Sequence, residues 1–220
     1  MIPAIALLLA LGWPQASGKA PQPRISATGT AYLGCSAWTG ESWTAAITRT
    51  ARTPVKASPR GYRAYAEVKA VASGDACENT TRLYVAAAGA NTYKLAYTIS
   101  PAAREGNGIR LIGWSPNGDK LLAEVNLWEY ETEGGFDHVI LVYDAAAQAT
   151  KVLHPDQALS RRFGANCESE LSIDAWETDE RVLIKVSRSS EDESYQRHFC
   201  VQEPREFVFD LQKQTLQPRQ

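Results

Sequence analysis

Carboxylates gather in three short stretches of this chain. Glu124, Glu129, Glu131, Glu133 and Asp137 are interleaved with Trp128 and Tyr130, Glu191, Asp192 and Glu193 precede Tyr195, and Asp75 and Glu78 form a smaller third group. Two carboxyls at a set separation, one lifted in pKa by a dry pocket, are the equipment of glycoside hydrolysis. The same groups spread over a loop surface would instead attract a basic protein segment, or hold Ca²⁺ weakly. No stretch has the ordered acidic positions of a calcium loop. The plainer reading is that hairpin loops are solvated and often charged, with Trp128 packed on a neighbouring unit.

Other chemistry finds little material. His138, His154 and His198 stand far apart in sequence, and there is no Gly-x-Ser-x-Gly elbow, His-Glu-x-x-His pair or phosphate loop. No metal and no cofactor is expected. The formal charge is −2, and Arg161-Arg162 is the one adjacent basic pair, which argues against a nucleic-acid partner. Two function classes remain. The first is a non-catalytic module acting through protein contacts or self-association. The second is a small extracytoplasmic hydrolase or lyase using acidic-face carboxylates such as Glu124 and Glu129.

The strands and turns around these residues are repeated. Ser115-Pro116-Asn117-Gly118-Asp119-Lys120-Leu121-Leu122-Ala123-Glu124-Val125 aligns without a gap to Ser58-Pro59-Arg60-Gly61-Tyr62-Arg63-Ala64-Tyr65-Ala66-Glu67-Val68. With a one-residue gap it also aligns to the stretch from Trp176 to Val186. Proline presets φ at the second turn position, and Gly or Asn supplies the positive φ that other residues resist. Alternation then places Leu121, Ala123 and Val125 on one face, matched by Ala64, Ala66 and Val68 and by Val182, Ile184 and Val186. Glu67, Glu124 and Lys185 share the other face, which predicts strands buried on one side and mixed on the other. Each copy leads through a polar loop to a strand ending near Tyr84, Tyr143 or Phe209, and two copies add a closing strand (Thr92–Tyr97, Thr150–Leu153).

Trp-Ser-Pro-Asn-Gly-Asp-Lys-Leu-Leu from Trp114, with Leu-Val-Tyr-Asp ending at Asp144, resembles a blade of the TolB-like (WD40-like) β-propellers. The resemblance covers most of the chain after about residue 40. It implies an all-β fold of stacked antiparallel four-stranded sheets, and this platform carries no set activity. Three blades are fewer than the four to eight of closed propellers, so the expectation is a partial β-propeller with two open ends. The units run roughly 25–100, 101–156 and 157–220, within one domain from residue 25. Trp114 and Trp176 would wedge between units.

Four cysteines allow three pairings. Cys77 and Cys200 precede the second strands of the outer units, and Cys35 and Cys167 lie ahead of their first strands. The symmetric choice is Cys35–Cys77 with Cys167–Cys200; free thiols in a cytosolic protein are the alternative. The apolar run Ile5–Leu11 followed by Ala16-Ser17-Gly18 reads as a signal peptide over 1–18, although no Lys or Arg precedes the run. Residues 19–24 read as a loose leader, and nothing after residue 12 approaches a membrane-spanning length. A periplasmic or secreted location follows. Ile25–Thr28 and Trp43–Thr48 are β-prone and predict the outer strand of the first unit and an extra strand over its edge. Ser100–Asn107 reads as a connection between units, as does the stretch from His154 to Asn166, with a helical turn at Gln157–Phe163. Asn79-Thr80-Thr81 matches a glycosylation sequon.

Overall fold

The structure is a computed structural model that describes residues 30–31, 47–73, 76–99, 105–129, 137–165, 167–188 and 199–219. The signal-like segment and Cys35 lie outside them, so the proposed Cys35–Cys77 bridge is not among the features described.

From the N-terminus, β1 (Thr30–Ala31) is a two-residue strand whose partner comes later. β2 (Ile47–Arg52), β3 (Lys56–Ala57), β4 (Arg63–Ser73), β5 (Ala76–Ala86) and β6 (Lys94–Ile99) form the first sheet, in the order β2-β4-β5-β6 with β3 also on β4. β7 (Glu105–Trp114), β8 (Lys120–Glu129), β9 (Asp137–Asp144) and β10 (Ala149–Leu153) form the second in chain order. Helix α1 (Pro155–Phe163) leads to the third sheet, of β11 (Glu170–Thr178), β12 (Arg181–Ser187), β13 (Arg205–Asp210) and β14 (Thr215–Pro218). Every pairing between these strands is antiparallel. Each sheet is therefore built on a blade-like meander of four strands, and the described residues are all-β apart from one short helix.

Two cores separate three sheets. Ala64, Ala66, Val68 and Ala70 of β4 meet Leu121, Ala123 and Val125 of β8 in the first core. Leu122, Ile140 and Val142 meet Ile173, Val182, Ile184, Val186 and Phe209 in the second. The alanines on β4 leave room for the larger residues opposite. The middle sheet is covered on both faces, which is why Leu121 to Val125, Glu124 included, are all buried and the alternation of buried and exposed positions is lost there. β4, a central strand of an outer sheet, keeps its alternation, with Glu67 half-buried and Lys69 and Val71 exposed. Each buried Leu, Ile or Val contributes on the order of 1.5–3 kcal/mol relative to exposure.

The repeated turns stack along one end of the array. Gly61 N–H donates to Ser58 O (2.9 Å) and Gly118 N–H to Ser115 O (2.8 Å), closing equivalent turns with Gly61 at φ 86° and Gly118 at φ 79°. The Ser58 hydroxyl donates to the Gly118 carbonyl at 2.7 Å, and Arg60 pairs with Asp119. One unit further on, Asn117 N–H donates to Asp179 Oδ1 at 2.9 Å and Lys120 pairs with Glu180. Each tryptophan reaches back by one unit: Trp114 Nε1 donates to Lys56 O (3.1 Å) and Trp176 Nε1 to Gly113 O (2.9 Å). Trp114 also stacks on Tyr62, with ring centroids 5.7 Å apart.

Some of these expectations need correction. The connection placed at Ser100–Asn107 ends earlier, because β7 begins at Glu105. Asn107 is wholly buried within that strand, where its amide donates to Asn79 O and the Asn79 amide donates to Asn107 O, both at 3.2 Å. Thr81 adds a bond to Asn107 Oδ1. A polar run with two glycines looks like a loop, but here it is a satisfied polar rung between two sheets. The same rung removes the sequon from consideration as a surface site, since Asn79 and Thr81 are 0% exposed. Of the two β-prone stretches, Ile25–Thr28 lies outside the described residues, and the end of Trp43–Thr48 enters β2, which borders the first sheet as expected; β1, at Thr30–Ala31, pairs with β7 of the second, Thr30 facing Arg110 and Ala31 facing Ile109. The helical turn of the second connection is a full α1, opened by Pro155 with Asp156 behind it and closed by Arg161 and Arg162 ahead of Gly164.

The predicted Cys167–Cys200 bridge is present, with Cα atoms 4.8 Å apart. It ties the segment before β11 to the segment before β13, where Cys200 N–H also donates to Glu168 O at 3.0 Å.

Candidate functional site

Of the acidic-face residues, Asp75 lies outside the described residues and Glu78 stands exposed on β5; the other described side chain is that of Glu124. It points from β8 toward the third sheet and is 3% exposed. Its Oε2 accepts from Arg110 Nε at 2.9 Å and lies 2.7 Å from Arg110 Nη2. Its Oε1 lies 3.2 Å from His138 Nδ1. Arg110 sits directly across on β7, and its Nη2 donates to the Ile173 carbonyl of β11. One buried carboxylate thus joins three strands of the second sheet and ties them to the third.

The electrostatics follow from this geometry. Burial pushes the Glu124 carboxyl up, but the bonds from His138 and Arg110 outweigh it and hold the group below its ordinary value. A general acid needs the opposite shift. Glu124 is therefore suited to holding Arg110 and His138 in place, and unsuited to donating a proton near neutral pH. Beside it on β8, opposite His138 in register, Asn126 buries an Oδ1 that has no hydrogen-bond partner among the described residues.

The remaining residues of the predicted acidic face are placed only in part. Trp128 and Glu129 close β8, and Asp137 opens β9, by backbone alone. Tyr130, Glu131, Glu133, Glu191, Asp192 and Glu193 lie outside the described residues, as do Tyr195 and His198. Among the described residues no group of three or more His, Cys, Asp or Glu side chains is disposed to hold a metal ion. No helix among them is long and apolar enough to cross a membrane.

A surface that sequence reading passed over is the outer face of the first sheet. Tyr65 stacks on Tyr84 (centroids 5.0 Å apart, planes at 18°) and meets Tyr93 edge-on at 4.9 Å. Arg52 lies over the Tyr65 ring at 5.3 Å and bonds Glu67 at 2.7 Å, while Arg63 lies over Tyr93 at 5.6 Å. Leu95 is 53% exposed beside this cluster, and Val71 on the same sheet is 40% exposed. The signal was available in Tyr65 and Tyr84, which alternate with the buried residues of β4 and β5.

No protein-family model matches this chain, and neither does any curated protein or solved structure.

Proposed function

We propose that this chain is an exported, non-catalytic module, similar to the TolB-like β-propellers, that works through protein–protein contacts. The observation that carries the reading is the outer face of the first sheet. Tyrosine and arginine dominate the centres of protein interfaces, because they bury large area while losing little conformational freedom. Here three tyrosines are held rigid by mutual stacking and by two arginines, with Leu95 exposed beside them.

The inter-unit contacts support an outside partner over propagation of the array. Trp114 and Trp176 each reach back to the preceding unit, yet Ala57 stands where the first unit would need such a tryptophan. Among the described residues, the repeat contact that joins unit to unit has no counterpart at this end. Export is supported by the Cys167–Cys200 bridge, which oxidising compartments favour, and by the signal-like start.

The test is co-purification of tagged chain from its native compartment, with wild type beside the Tyr65→Ala/Tyr84→Ala variant. A protein recovered with the wild type and lost from the variant supports the reading. Equal recovery by both overturns it. Intact mass of the mature chain checks export, the expected first residue being Lys19.

A further inference from the structure

The third sheet holds a cavity of different chemistry, far from carboxylate or tyrosine clusters in character. It opens between the last turn of α1 and the ends of β13 and β14, has a volume of about 630 Å³, and is lined by Arg162, Phe163, Arg205, Phe207 and the pair Glu206–Arg219. That volume falls within the range of small-molecule sites.

Its walls combine two aromatic rings with an excess of guanidinium groups. Phe163 and Phe207 meet edge to face at 5.7 Å and 87°. The Arg162 guanidinium stands over both, 5.4 Å from one ring centre and 5.7 Å from the other, and is steadied by a bond to the Leu216 carbonyl at 3.3 Å. Arg219 is paired with Glu206. Arg205 lies two residues before Phe207 on β13, hence on the same face of the strand, and makes no ion pair among the described residues. Three positive groups against one negative leave the cavity with a net positive lining beside an apolar floor.

We propose that this cavity binds a carboxylate carried on a flat apolar body. The flat body of the ligand packs against the half-buried Phe163 and the exposed Pro218, with Phe207 buried behind them, and its carboxylate is held by Arg205 with help from Arg162. Guanidinium is the side chain that meets a carboxylate through two parallel N–H bonds, which a lysine could not do. The ligand is either a free aromatic acid or the C-terminal aromatic residue of a peptide, since both present the same carboxylate and ring. This site is independent of the contact surface on the first sheet.

The test is NMR titration of the full oxidised chain with 2-naphthoate, its methyl ester, and N-acetyl-glycyl-phenylalanine as acid and as amide. The acids are expected to bind at roughly millimolar Kd, as suits ligands of this size. The ester and amide should bind about tenfold more weakly, and Arg205→Gln, a substitution of an exposed residue, should weaken both acids by about tenfold. Tighter binding of the peptide acid than of 2-naphthoate assigns a chain terminus as the source, and the reverse order assigns a free acid. Equal binding of acid and ester, unchanged affinity in Arg205→Gln, or no shift of the Phe163 and Phe207 resonances would each overturn the proposal.

Discussion

The indole N–H of Trp176 donates to the carbonyl of Gly113 across 2.9 Å, joining the third sheet to the second at the point where Trp114 turns the other way to join the first. Trp176→Phe keeps most of the ring and deletes that donor, leaving a half-buried carbonyl unpaired. A loss of about 1 kcal/mol is expected, read as a lower urea midpoint at unchanged slope.

Gly118 tests the stacked turns. Its φ of +79° is costly for any residue with a Cβ, and a Cβ built there would stand 2.7 Å from Ser58 Oγ of the preceding unit. Gly118→Ala should therefore cost about 1–3 kcal/mol. Adding Ser58→Ala should recover part of that loss but not all, because the contact is relieved and the backbone strain stays. Strict additivity in a double-mutant cycle would show that the two turns do not touch.

The Glu124 network predicts a pH dependence of definite sign. Because the folded-state pKa is depressed, the stabilisation is fully present above the unfolded value of about 4.3 and is lost as pH falls through the folded one. Glu124→Gln, which leaves Arg110 without its counter-charge in a half-buried position, should cost about 3 kcal/mol at pH 7. The gap between variant and wild type should shrink in acid. Urea midpoints at several pH values from neutral downward check this, and a gap independent of pH would contradict it.

The Cys167–Cys200 bridge closes a loop across a sequence separation of 33 residues. Replacing both cysteines by serine should lower stability by about 3–4 kcal/mol on the chain-entropy account. The Ser double variant measured beside the oxidised wild type gives the figure directly.

How far the sequence could be read turns on a few residues. The turn at Ser115–Gly118, its copy at Ser58–Gly61 and the alternating strands behind them were legible, because Pro, Gly and a period of two act locally. So was the Cys167–Cys200 pair, through its place in the repeat. Asn107 was misread because a buried polar rung looks like a loop until its partner, Asn79, is brought beside it by the packing of two sheets. The Arg110–Glu124 pair was hidden by a register shift between Leu111 and Gly113. Counting back from the turn without that irregularity sets Arg110 opposite Val125, so the cross-strand ion pair cannot be found by counting. The Tyr65–Tyr84–Tyr93 cluster was in plain view but says nothing until it is known which face of β4 another sheet covers. The cavity around Arg205 needed α1, β13 and β14 brought together.

The most direct measurement is site-specific photo-crosslinking from Leu95, with p-benzoylphenylalanine placed there and, as a control, at exposed Gln212, in cells that naturally make the chain. If the first sheet's outer face is a protein-contact surface, Leu95 should give a light-dependent adduct of one defined mass that disappears when Tyr84→Ala is added. Twice the chain's own mass would identify a second copy as the occupant. No adduct above the Gln212 control, or an adduct indifferent to Tyr84→Ala, would contradict the account.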